Sequence, residues 1–431
     1  MSLRGEITVP GDKSITHRAL ILSALSEKKT IIYGALDSED CLRTKDALCA
    51  MGITIKESDA FNAFEVTGKG LDGLSEPSNV IDCGNSGTTL RLLAGLLSGR
   101  PFFSVLTGDD SLRKRPMRRV IDPLQRMGAH IVGRARDSFA PLAINGTKLS
   151  GIEYPLPVAS AQVKSALLLA GLTAEGKTVI TDYYGTRDHT ERMLQYLGAK
   201  FTADKTPAGT VCSIEGGRAF DYQSDLSIPG DFSSAAFFIV GALIVPGSEI
   251  TIRDVGINPT RTGLLDVLKK MGANIKIGKT NPDSYCEPTA DITASFSHLK
   301  GVGVVEGDII PRMIDEFPIF CIAAAAAEGE TEIRGAKELR VKESDRIATM
   351  KMALWKIGFD ADDLPDGIKI TGKENWKILG DGKCDTQNDH RVAMAMKIAQ
   401  LRTNGDILFS DETCIDTSFP SFNMILERIC R

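Results

Sequence analysis

The sequence has few aromatic residues, no excess of positive charge and no long apolar run. Aromatic residues make up 6% of the 431 residues, and the formal net charge is −5. Nonspecific binding of nucleic acid is therefore disfavoured, and any anion must be bound by a local cluster of cations. The longest apolar run, around residues 235–246, is too short to span a bilayer, and the N-terminal residues lack the apolar core of a signal peptide.

The nine cysteines are an odd number and show neither a CxxC pair nor a Cys/His ligand spacing. Cys41, Cys49 and Cys321 fall within helical patterns. These features predict reduced thiols in a cytoplasmic protein and support neither a disulfide framework nor a zinc site.

Six segments share one pattern, in which a short β-like run ends in a polar residue and continues into an Ala/Leu-rich helix. Their markers are 72, 74, 73, 82 and 75 residues apart, so one structural unit is used six times. The markers are Ser14, Ser86, Ser160, Ser233, Asp315 and His390. A glycine that ends an apolar helix recurs with them, at Gly52, Gly128, Gly198, Gly272 and Gly358.

The first repeat predicts the element order β-α-β-α-β-β, with helices over 14–26 and 38–51. Helices such as 166–170 and 322–327 are apolar nearly all round, which places them inside a layer of other elements. The sequence therefore predicts an α/β protein with helices buried within rings of sheets. A domain boundary is expected at Ile228-Pro229-Gly230, which opens the fourth repeat.

Helix N-termini present unpaired N–H groups and a partial positive charge, so the repeated helix starts are candidate anion sites. At the first start, Asp12 separates Gly11 from Lys13, which argues against a nucleotide P-loop. Ser14 could simply cap the helix beside a solvated Lys13. Arg18, one turn further on, favours an anion, because two cations beside a helix N-terminus are costly unless neutralised.

Other starts allow both a structural and a functional interpretation. Gly87 would let a ligand approach the backbone in the turn 85–89, and the basic run 112–119 is by composition mostly solvated surface. Lys342 and Arg346 are spaced one helical turn apart and could form ordinary surface ion pairs. Asp315 could be only a helix cap. Taken together, cations or caps recur at equivalent points of the repeat, so two closing domains would bring them around one positive cleft.

These motifs resemble those of the 3-phosphoshikimate 1-carboxyvinyltransferases, also called 5-enolpyruvylshikimate-3-phosphate synthases, from Gly5 to Phe422. The motifs are Gly-Asp-Lys-Ser, Gly-Asn-Ser-Gly-Thr, Arg-Pro-Met, Ser-Ala-Gln, Arg-Val-Lys-Glu-Ser-Asp-Arg and Asn-Asp-His-Arg. The resemblance implies a two-domain inside-out α/β barrel built from six β-α-β-α-β-β repeats. It implies a first domain over 14–229, a second over 1–13 and 230–431, and an active site in the interdomain cleft.

The resemblance also implies a reaction and its residues. The family transfers the enolpyruvyl group of phosphoenolpyruvate to shikimate 3-phosphate in the shikimate pathway of aromatic amino-acid biosynthesis, without a metal or organic cofactor. The implied shikimate 3-phosphate site comprises Lys13, Ser14, Arg18, Ser160, Ala161, Gln162, Arg187, Asp315 and Lys342. The implied phosphoenolpyruvate site, where glyphosate competes in this family, comprises Lys13, Asn85, Gly87, Arg115, Gln162, Arg346 and Arg391. The implied catalytic residues are Asp315 as base, Glu343 as acid, Lys13 between the substrates and His390 as a positioning residue.

The chain departs from the best-studied branch of the family and resembles a second branch. Thr417 stands where that branch has a lysine, Ala161 replaces a phosphate-binding serine and Leu339 replaces a tryptophan. Residues 186–189 stand where the best-studied branch has a segment that contains a serine. In the second branch, Arg187 is expected to supply the contact to the phosphate of shikimate 3-phosphate.

Two other functions are compatible with parts of the sequence. The sister enolpyruvyl transferase acts on UDP-N-acetylglucosamine, but it carries a reactive cysteine in a loop where residues 108–116 contain none. A silent nucleotide or RNA-end binder is disfavoured by the acidic net charge and by the lack of aromatic residues near the basic segments. The expected protein is a cytoplasmic monomer that binds two small phosphorylated acids and no nucleic acid or membrane.

Overall fold

A computed structural model describes residues 2–58, 62–217, 225–281, 286–374, 376–380 and 382–430. The chain divides into two compact units. The N-terminal unit comprises Gly11–Ile228 and Tyr285–Glu287, and the C-terminal unit comprises Met1–Pro10, Pro229–Ser284 and Pro288–Arg431. The first division follows Pro10, whereas residues up to Lys13 were expected in the second domain. The physical reason is that Lys13 begins the first helix of the N-terminal unit.

The described elements follow in chain order. The strands are β1 (Arg4–Thr8), β2 (Lys29–Tyr33), β3 (Thr54–Glu57), β4 (Phe64–Thr67), β5 (Ile81–Asp82), β6 (Phe103–Thr107), β7 (His130–Gly133), β8 (Phe139–Asn145), β9 (Glu153–Pro155), β10 (Lys177–Asp182), β11 (Phe201–Thr206), β12 (Gly209–Glu215), β13 (Leu226–Ser227), β14 (Glu249–Gly256), β15 (Asn274–Ile277), β16 (Thr289–Ser295), β17 (Gly303–Val305), β18 (Gly329–Ile333), β19 (Ala361–Leu364), β20 (Gly367–Gly372), β21 (Lys383–Cys384) and β22 (Leu408–Phe409). The helices are α1 (Lys13–Ala24), α2 (Glu39–Ala50), α3 (Gly87–Ser98), α4 (Arg118–Arg126), α5 (Arg134–Asp137), α6 (Ala161–Gly171), α7 (His189–Tyr196), α8 (Phe232–Ile244), α9 (Gly263–Lys270), α10 (Ile309–Met313), α11 (Phe317–Ala326), α12 (Arg346–Lys356), α13 (His390–Gln400) and α14 (Phe422–Ile429). Short 3-10 helices cover Leu112–Lys114, Lys337–Val341 and Thr413–Thr417. The four-residue α5 has left-handed backbone angles at Ala135 and Arg136.

The described part of the N-terminal unit contains three four-stranded sheets with the same arrangement of strands. Their strand orders are β13-β2-β4-β3, β5-β6-β8-β7 and β9-β10-β12-β11. In each sheet the first two strands are parallel and the last two form an antiparallel hairpin. A helix connects the parallel strands β5 and β6, and another connects β9 and β10, as a parallel pair requires. The predicted order β-α-β-α-β-β is confirmed.

The first strand of the first repeat is supplied from an unexpected point of the chain. β13, which precedes α8, pairs in parallel with β2, and Leu226 lies opposite Ile32. β1 instead pairs in parallel with β14 in the C-terminal unit, where Ile7 lies opposite Ile252. The C-terminal unit therefore contains β1 from before the crossing at Pro10, whereas β13 completes the first sheet of the N-terminal unit just before the crossing at Ile228.

The C-terminal unit continues the repeat. Its four-stranded sheets have the orders β1-β14-β16-β15 and β17-β18-β20-β19. In the sixth repeat, the described residues form the parallel pair β21-β22 around α13, and the chain then continues into α14 without the usual hairpin. Leu3 forms a bridge with Cys430, so β1 is flanked by the end of the chain.

Each unit is built around buried helices. In the N-terminal unit, α1 packs on β2 and β4, α3 on β6 and β8, and α6 on β10 and β12. In the C-terminal unit, α11 packs on α8 and α13, and the rings of Phe237 and Phe422 meet edge to face with centroids 5.9 Å apart. Among the described residues, no helix combines the length and apolarity needed to cross a bilayer.

The contact between α3 and α6 depends on Gly95. A Cβ atom at this position would lie well inside van der Waals contact with the carbonyl oxygen of Ala166, which is backbone and cannot move aside easily. Gly241 in α8 is also helical and buried, but its Cβ would meet the end of the flexible Leu3 side chain at 2.9 Å.

We expect Gly95→Ala to lower the free energy of unfolding by about 1–3 kcal/mol, because the helices must separate. The matched Gly241→Ala change should cost less, since Leu3 can move. Urea unfolding followed by circular dichroism measures both. Equal costs for the two variants would contradict the close approach of α3 and α6.

Candidate active site

Side-chain caps fix the helix starts of the N-terminal unit. Asp12 accepts a hydrogen bond from Ile15 N at 2.9 Å, Ser86 from Thr89 N at 3.2 Å and Ser160 from Val163 N at 3.4 Å. The cap of α1 is therefore Asp12, and Ser14 lies within the first turn. The interpretation of Ser14 as the cap is wrong, because the aspartate two residues earlier already takes that position.

The two cations beside α1 have different environments. The ammonium of Lys13 contacts the carboxylate of Asp40, and its side chain is 18% exposed. Arg18 is buried and donates to Thr190 Oγ1 at 2.6 Å, to Ser165 Oγ at 2.7 Å and to the carbonyl of Ser14 at 2.8 Å.

These three acceptors of Arg18 are neutral oxygens. Burial lowers the pKa of Arg18 to about 10, so the guanidinium still carries its charge at neutral pH. The charges of Glu191, Asp12 and Glu287 act on Arg18 as well, but its hydrogen-bond acceptors given above are neutral, and a cation held in this way attracts an anion more strongly than one bonded to a carboxylate.

A second group of polar side chains surrounds the start of α3. Arg115 donates to Asn85 Oδ1 at 2.5 Å, and Asn85 in turn donates to Asp109 at 2.7 Å. A Cβ atom on Gly87 would lie 2.8 Å from a terminal nitrogen of Arg91 and 3.3 Å from one of Arg115. Two guanidinium groups therefore border Gly87, and the absent side chain leaves them room.

Gln162 connects this group to α6. Its amide oxygen accepts from Arg91 at 2.7 Å, and its amide nitrogen donates to Thr88 at 3.1 Å. Ser160 and Ala161 lie just before Gln162, at the cap and first residue of α6. The structure thus brings together most of the residues that were predicted for the N-terminal half.

Arg187 lies in the segment between β10 and α7 and is half-buried. Its positive charge is close enough to Arg18 to contribute to the lowered pKa of that guanidinium, after burial as the main cause. Arg187 therefore belongs to the same electrostatic environment as Arg18.

In the C-terminal unit, three carboxylates surround the buried guanidinium of Arg346. Its Nε lies 2.8 Å from Asp389 Oδ2, its Nη2 lies 2.6 Å from Glu343 Oε2, and its Nη1 lies 3.4 Å from Asp315 Oδ1. Burial alone would lower the pKa of Arg346, but these carboxylates raise it above its ordinary value. Burial alone would raise the pKa of Asp389, but Arg346 holds it below its ordinary value.

Asp315 has further cationic neighbours. Lys342 Nζ lies 3.5 Å from its Oδ1, and Arg261 Nη1 lies 4.0 Å from its Oδ2. Arg391 donates to its backbone carbonyl at 3.2 Å. Cationic groups therefore surround the carboxylate of Asp315.

Two interpretations of this region are wrong. Lys342 follows the 3-10 helix Lys337–Val341, while Arg346 begins α12, so the two are not on one helix face. Asp315 precedes Glu316 at the start of α11 and does not cap it. The caps of α12 and α13 are Asp345 and Asp389, which immediately precede Arg346 and His390.

Sequence reasoning missed several members of these groups. Asp389 combines a cap with an ion pair, Arg91 orients Gln162, and Arg261 adjoins Asp315. Asp389 had a recognisable signal, because an Asp before the first residue of a helix is a favoured cap, and Arg91 had one as a cation close behind the turn at Gly87. Thr417 donates to the Cys414 carbonyl at 2.7 Å and supplies no charge in place of the lysine of the best-studied branch.

The chain matches the family described as EPSP synthase (3-phosphoshikimate 1-carboxyvinyltransferase) over residues 1–426. The chain belongs to this family. It is 51% identical over 427 residues to the 3-phosphoshikimate 1-carboxyvinyltransferase of Geobacter metallireducens, covering 99% of this chain and 97% of that protein. It is 50% identical over 430 residues to that of Geobacter sulfurreducens, with coverage of 99% and 97%.

Solved structures agree with this family membership. The chain superimposes on EPSP synthase from Acinetobacter baumannii with a TM-score of 0.86 and 44% identity, covering 99% of this chain and 96% of the other. The enolpyruvyl transferase NikO from Streptomyces tendae gives a TM-score of 0.77 at 17% identity, with coverage of 99% and 95%, and therefore shares the fold. The fold class expected from the sequence is confirmed.

The buried pair of Asp389 and Arg346 predicts a pH-dependent stability. The pKa of Asp389 is lowered, so its contribution is fully present above the unfolded value near 4 and is lost as pH falls through the folded pKa. Asp389→Asn should therefore lower the free energy of unfolding by about 3 kcal/mol at pH 7, and the deficit should shrink below about pH 4.

Asp345→Asn is the matched control, because Asp345 also caps a helix and pairs with an arginine, but both partners are partly exposed. Its cost should stay below about 1 kcal/mol. Urea unfolding at about pH 7, 4 and 3 measures both variants on either side of the ordinary pKa of an aspartate. A deficit for Asp389→Asn that is no larger than that of the control would contradict the buried pair.

Proposed function

We propose that the residue groups described above serve one reaction, the enolpyruvyl transfer of this family. The chain transfers the enolpyruvyl group of phosphoenolpyruvate to the 5-hydroxyl of shikimate 3-phosphate and releases phosphate, a step of the shikimate pathway. The observation that carries the assignment of roles is that Asp315 and Glu343 contact the same buried guanidinium of Arg346. One rigid cation thereby holds the proposed base and the proposed acid.

The chemistry requires both carboxylates. Asp315 takes the proton of the 5-hydroxyl as its oxygen forms a bond to C2 of phosphoenolpyruvate, while Glu343 gives a proton to C3. The result is a tetrahedral adduct. The C–O bond to phosphate then breaks as C3 returns a proton to Glu343, which re-forms the C2–C3 double bond as part of a new enol ether and frees phosphate.

The surroundings of Asp315 fit the role of base. Lys342 is assigned to the shikimate 3-phosphate site and lies 3.5 Å from Asp315 Oδ1. The substrate hydroxyl and its base would therefore be adjacent. Glu343 is 21% exposed and so remains accessible to a substrate. His390 begins α13 beside Asp389 and would position Arg391 at the phosphoenolpyruvate site.

The N-terminal unit would supply most of the anion contacts. We assign the shikimate 3-phosphate contacts to Lys13, Ser14, Arg18, Ser160, Ala161, Gln162 and Arg187. We assign the phosphoenolpyruvate contacts to Lys13, Asn85, Gly87, Arg115 and Gln162, with Arg346 and Arg391 from the other unit. Arginine forks suit carboxylate and phosphate groups, and Asn85 orients the fork of Arg115.

We further propose that the protein is a cytoplasmic monomer. The odd number of cysteines without ligand or disulfide spacing supports a reducing compartment. The assignment to a monomer follows the family expectation, and light scattering of the purified protein tests it.

Phosphate release tests the reaction directly. The protein should release phosphate from phosphoenolpyruvate when shikimate 3-phosphate is present and not when UDP-N-acetylglucosamine replaces it. The family match and the named relatives favour the shikimate substrate over the UDP-sugar. Release with the UDP-sugar alone would favour the sister enzyme, and no release from a folded protein would leave a binding function only.

Asp315→Asn tests the assignment of the base. It should lower kcat by about 100- to 10,000-fold and change the KM for shikimate 3-phosphate far less, because it removes the proton acceptor and preserves the shape of the side chain in that site. Asp308→Asn, an exposed aspartate nearby in the chain, should leave kcat unchanged. Steady-state phosphate release measures both, and an unchanged kcat for Asp315→Asn would remove Asp315 from the mechanism.

A further inference from the structure

A buried ion cluster joins α6 to the segment that carries Arg187. Lys164 Nζ lies 2.8 Å from Asp182 Oδ2 and 2.6 Å from Glu191 Oε1, and it donates to the Thr186 carbonyl at 3.3 Å. The three charged side chains are at most 4% exposed. They are called the Lys164 cluster below.

Asp182 fixes the loop that follows β10. Its Oδ1 accepts from Tyr184 N at 2.9 Å, and its Oδ2 accepts from Thr186 N at 3.0 Å and from Thr186 Oγ1 at 2.6 Å. Arg187 is the next residue. The backbone position from which the Arg187 side chain extends is therefore set by the carboxylate that Lys164 holds.

Glu191 fixes the first turn of α7, where Thr190 contacts Arg18. Thr190 Oγ1 accepts from Arg18 Nε at 2.6 Å and lies 2.7 Å from Ser165 Oγ, which also accepts from Arg18 Nη2 at 2.7 Å. Lys164 and Ser165 are neighbours in α6. One cluster thus fixes the support of Arg18 as well as that of Arg187.

Stability alone does not account for the Lys164 cluster. Burial raises the pKa of Glu191 above its ordinary value, while Lys164 counteracts this effect. Two carboxylates and one ammonium are thus buried in α6, α7 and β10, where α6 is otherwise mostly apolar. Apolar residues of similar volume often replace buried ion groups without loss of stability, so such a group is better explained by the geometry that it imposes.

We propose that Lys164, Asp182 and Glu191 are positioning residues for the phosphate of shikimate 3-phosphate, because together they hold Arg187 and Arg18 in fixed relation. The inference rests on the proposed function, in which those two arginines bind this phosphate. The cluster sets the affinity for shikimate 3-phosphate and changes neither kcat nor the affinity for phosphoenolpyruvate.

The main test is the double variant Lys164→Met with Glu191→Gln. It removes one positive and one negative charge, so the net charge of the cluster is unchanged. We expect the KM for shikimate 3-phosphate to rise about tenfold, with kcat and the KM for phosphoenolpyruvate within about twofold of wild type. Thr186→Val keeps every charge and removes one hydrogen bond of the loop, so it should raise the same KM by a smaller factor.

Two comparisons separate positioning from a merely structural role. Ile214→Ala opens a cavity in β12 of the same sheet and should destabilise the unit without changing either KM. Arg187→Ala should itself raise the KM for shikimate 3-phosphate. A triple variant combines the double variant with Arg187→Ala. Its KM for shikimate 3-phosphate should rise by less than the product of the two separate fold-changes, since both changes act partly through the Arg187 side chain.

The outcomes distinguish the inference from the function on which it rests. Wild-type protein that releases no phosphate with both substrates would overturn the proposed function. Active wild type with a raised KM for Arg187→Ala, but unchanged KM values for Thr186→Val and the double variant, would overturn the positioning role alone. The same would follow if Ile214→Ala raised the KM for shikimate 3-phosphate as much as the double variant does. If the double variant does not fold, Thr186→Val decides.

Discussion

The C-terminal unit depends on one buried guanidinium and the carboxylates around it. Arg346 holds Asp389 at 2.8 Å and Glu343 at 2.6 Å, and Asp315 lies 3.4 Å away. Burying a guanidinium away from water is costly unless its carboxylate partners are fixed in good hydrogen-bond geometry. Asp389 meets this requirement because it also caps α13. The helix start, the ion pair and the proposed acid and base are therefore parts of a single arrangement.

The N-terminal unit handles its cations in a different way. Arg18 is buried among hydroxyl and carbonyl oxygens, and Arg91 is held by the amide of Gln162. Neutral partners orient a guanidinium without cancelling its charge, so the charge remains available to an anion. In the proposed reaction, the carboxylates near Arg346 would serve proton transfer, whereas Arg18 among neutral oxygens would bind phosphate.

The period of the sequence predicted the repeated β-α-β-α-β-β unit because each repeat carries its own turn and cap residues, while the two-domain barrel was implied by the family resemblance. The details of the site were less accessible. Ser14 was one candidate for the cap of α1, because serine is a favoured cap residue, but Asp12 takes that role. Lys342 and Arg346 were placed on one helix because their spacing fits one turn, but a 3-10 helix ends before Lys342. Partners such as Arg91 and Gln162 are 71 residues apart, and no local pattern encodes their meeting.

The exchange of β1 and β13 has a consequence for synthesis on the ribosome. The first sheet of the N-terminal unit lacks its outer strand until Leu226 and Ser227 have been made, because β13 pairs with β2. β1 emerges first of all the strands, yet its partner β14 begins only at Glu249. Until those partners have been made, the nascent chain carries two unpaired strand edges, on β1 and on β2, and unpaired edges of this kind favour association with other chains.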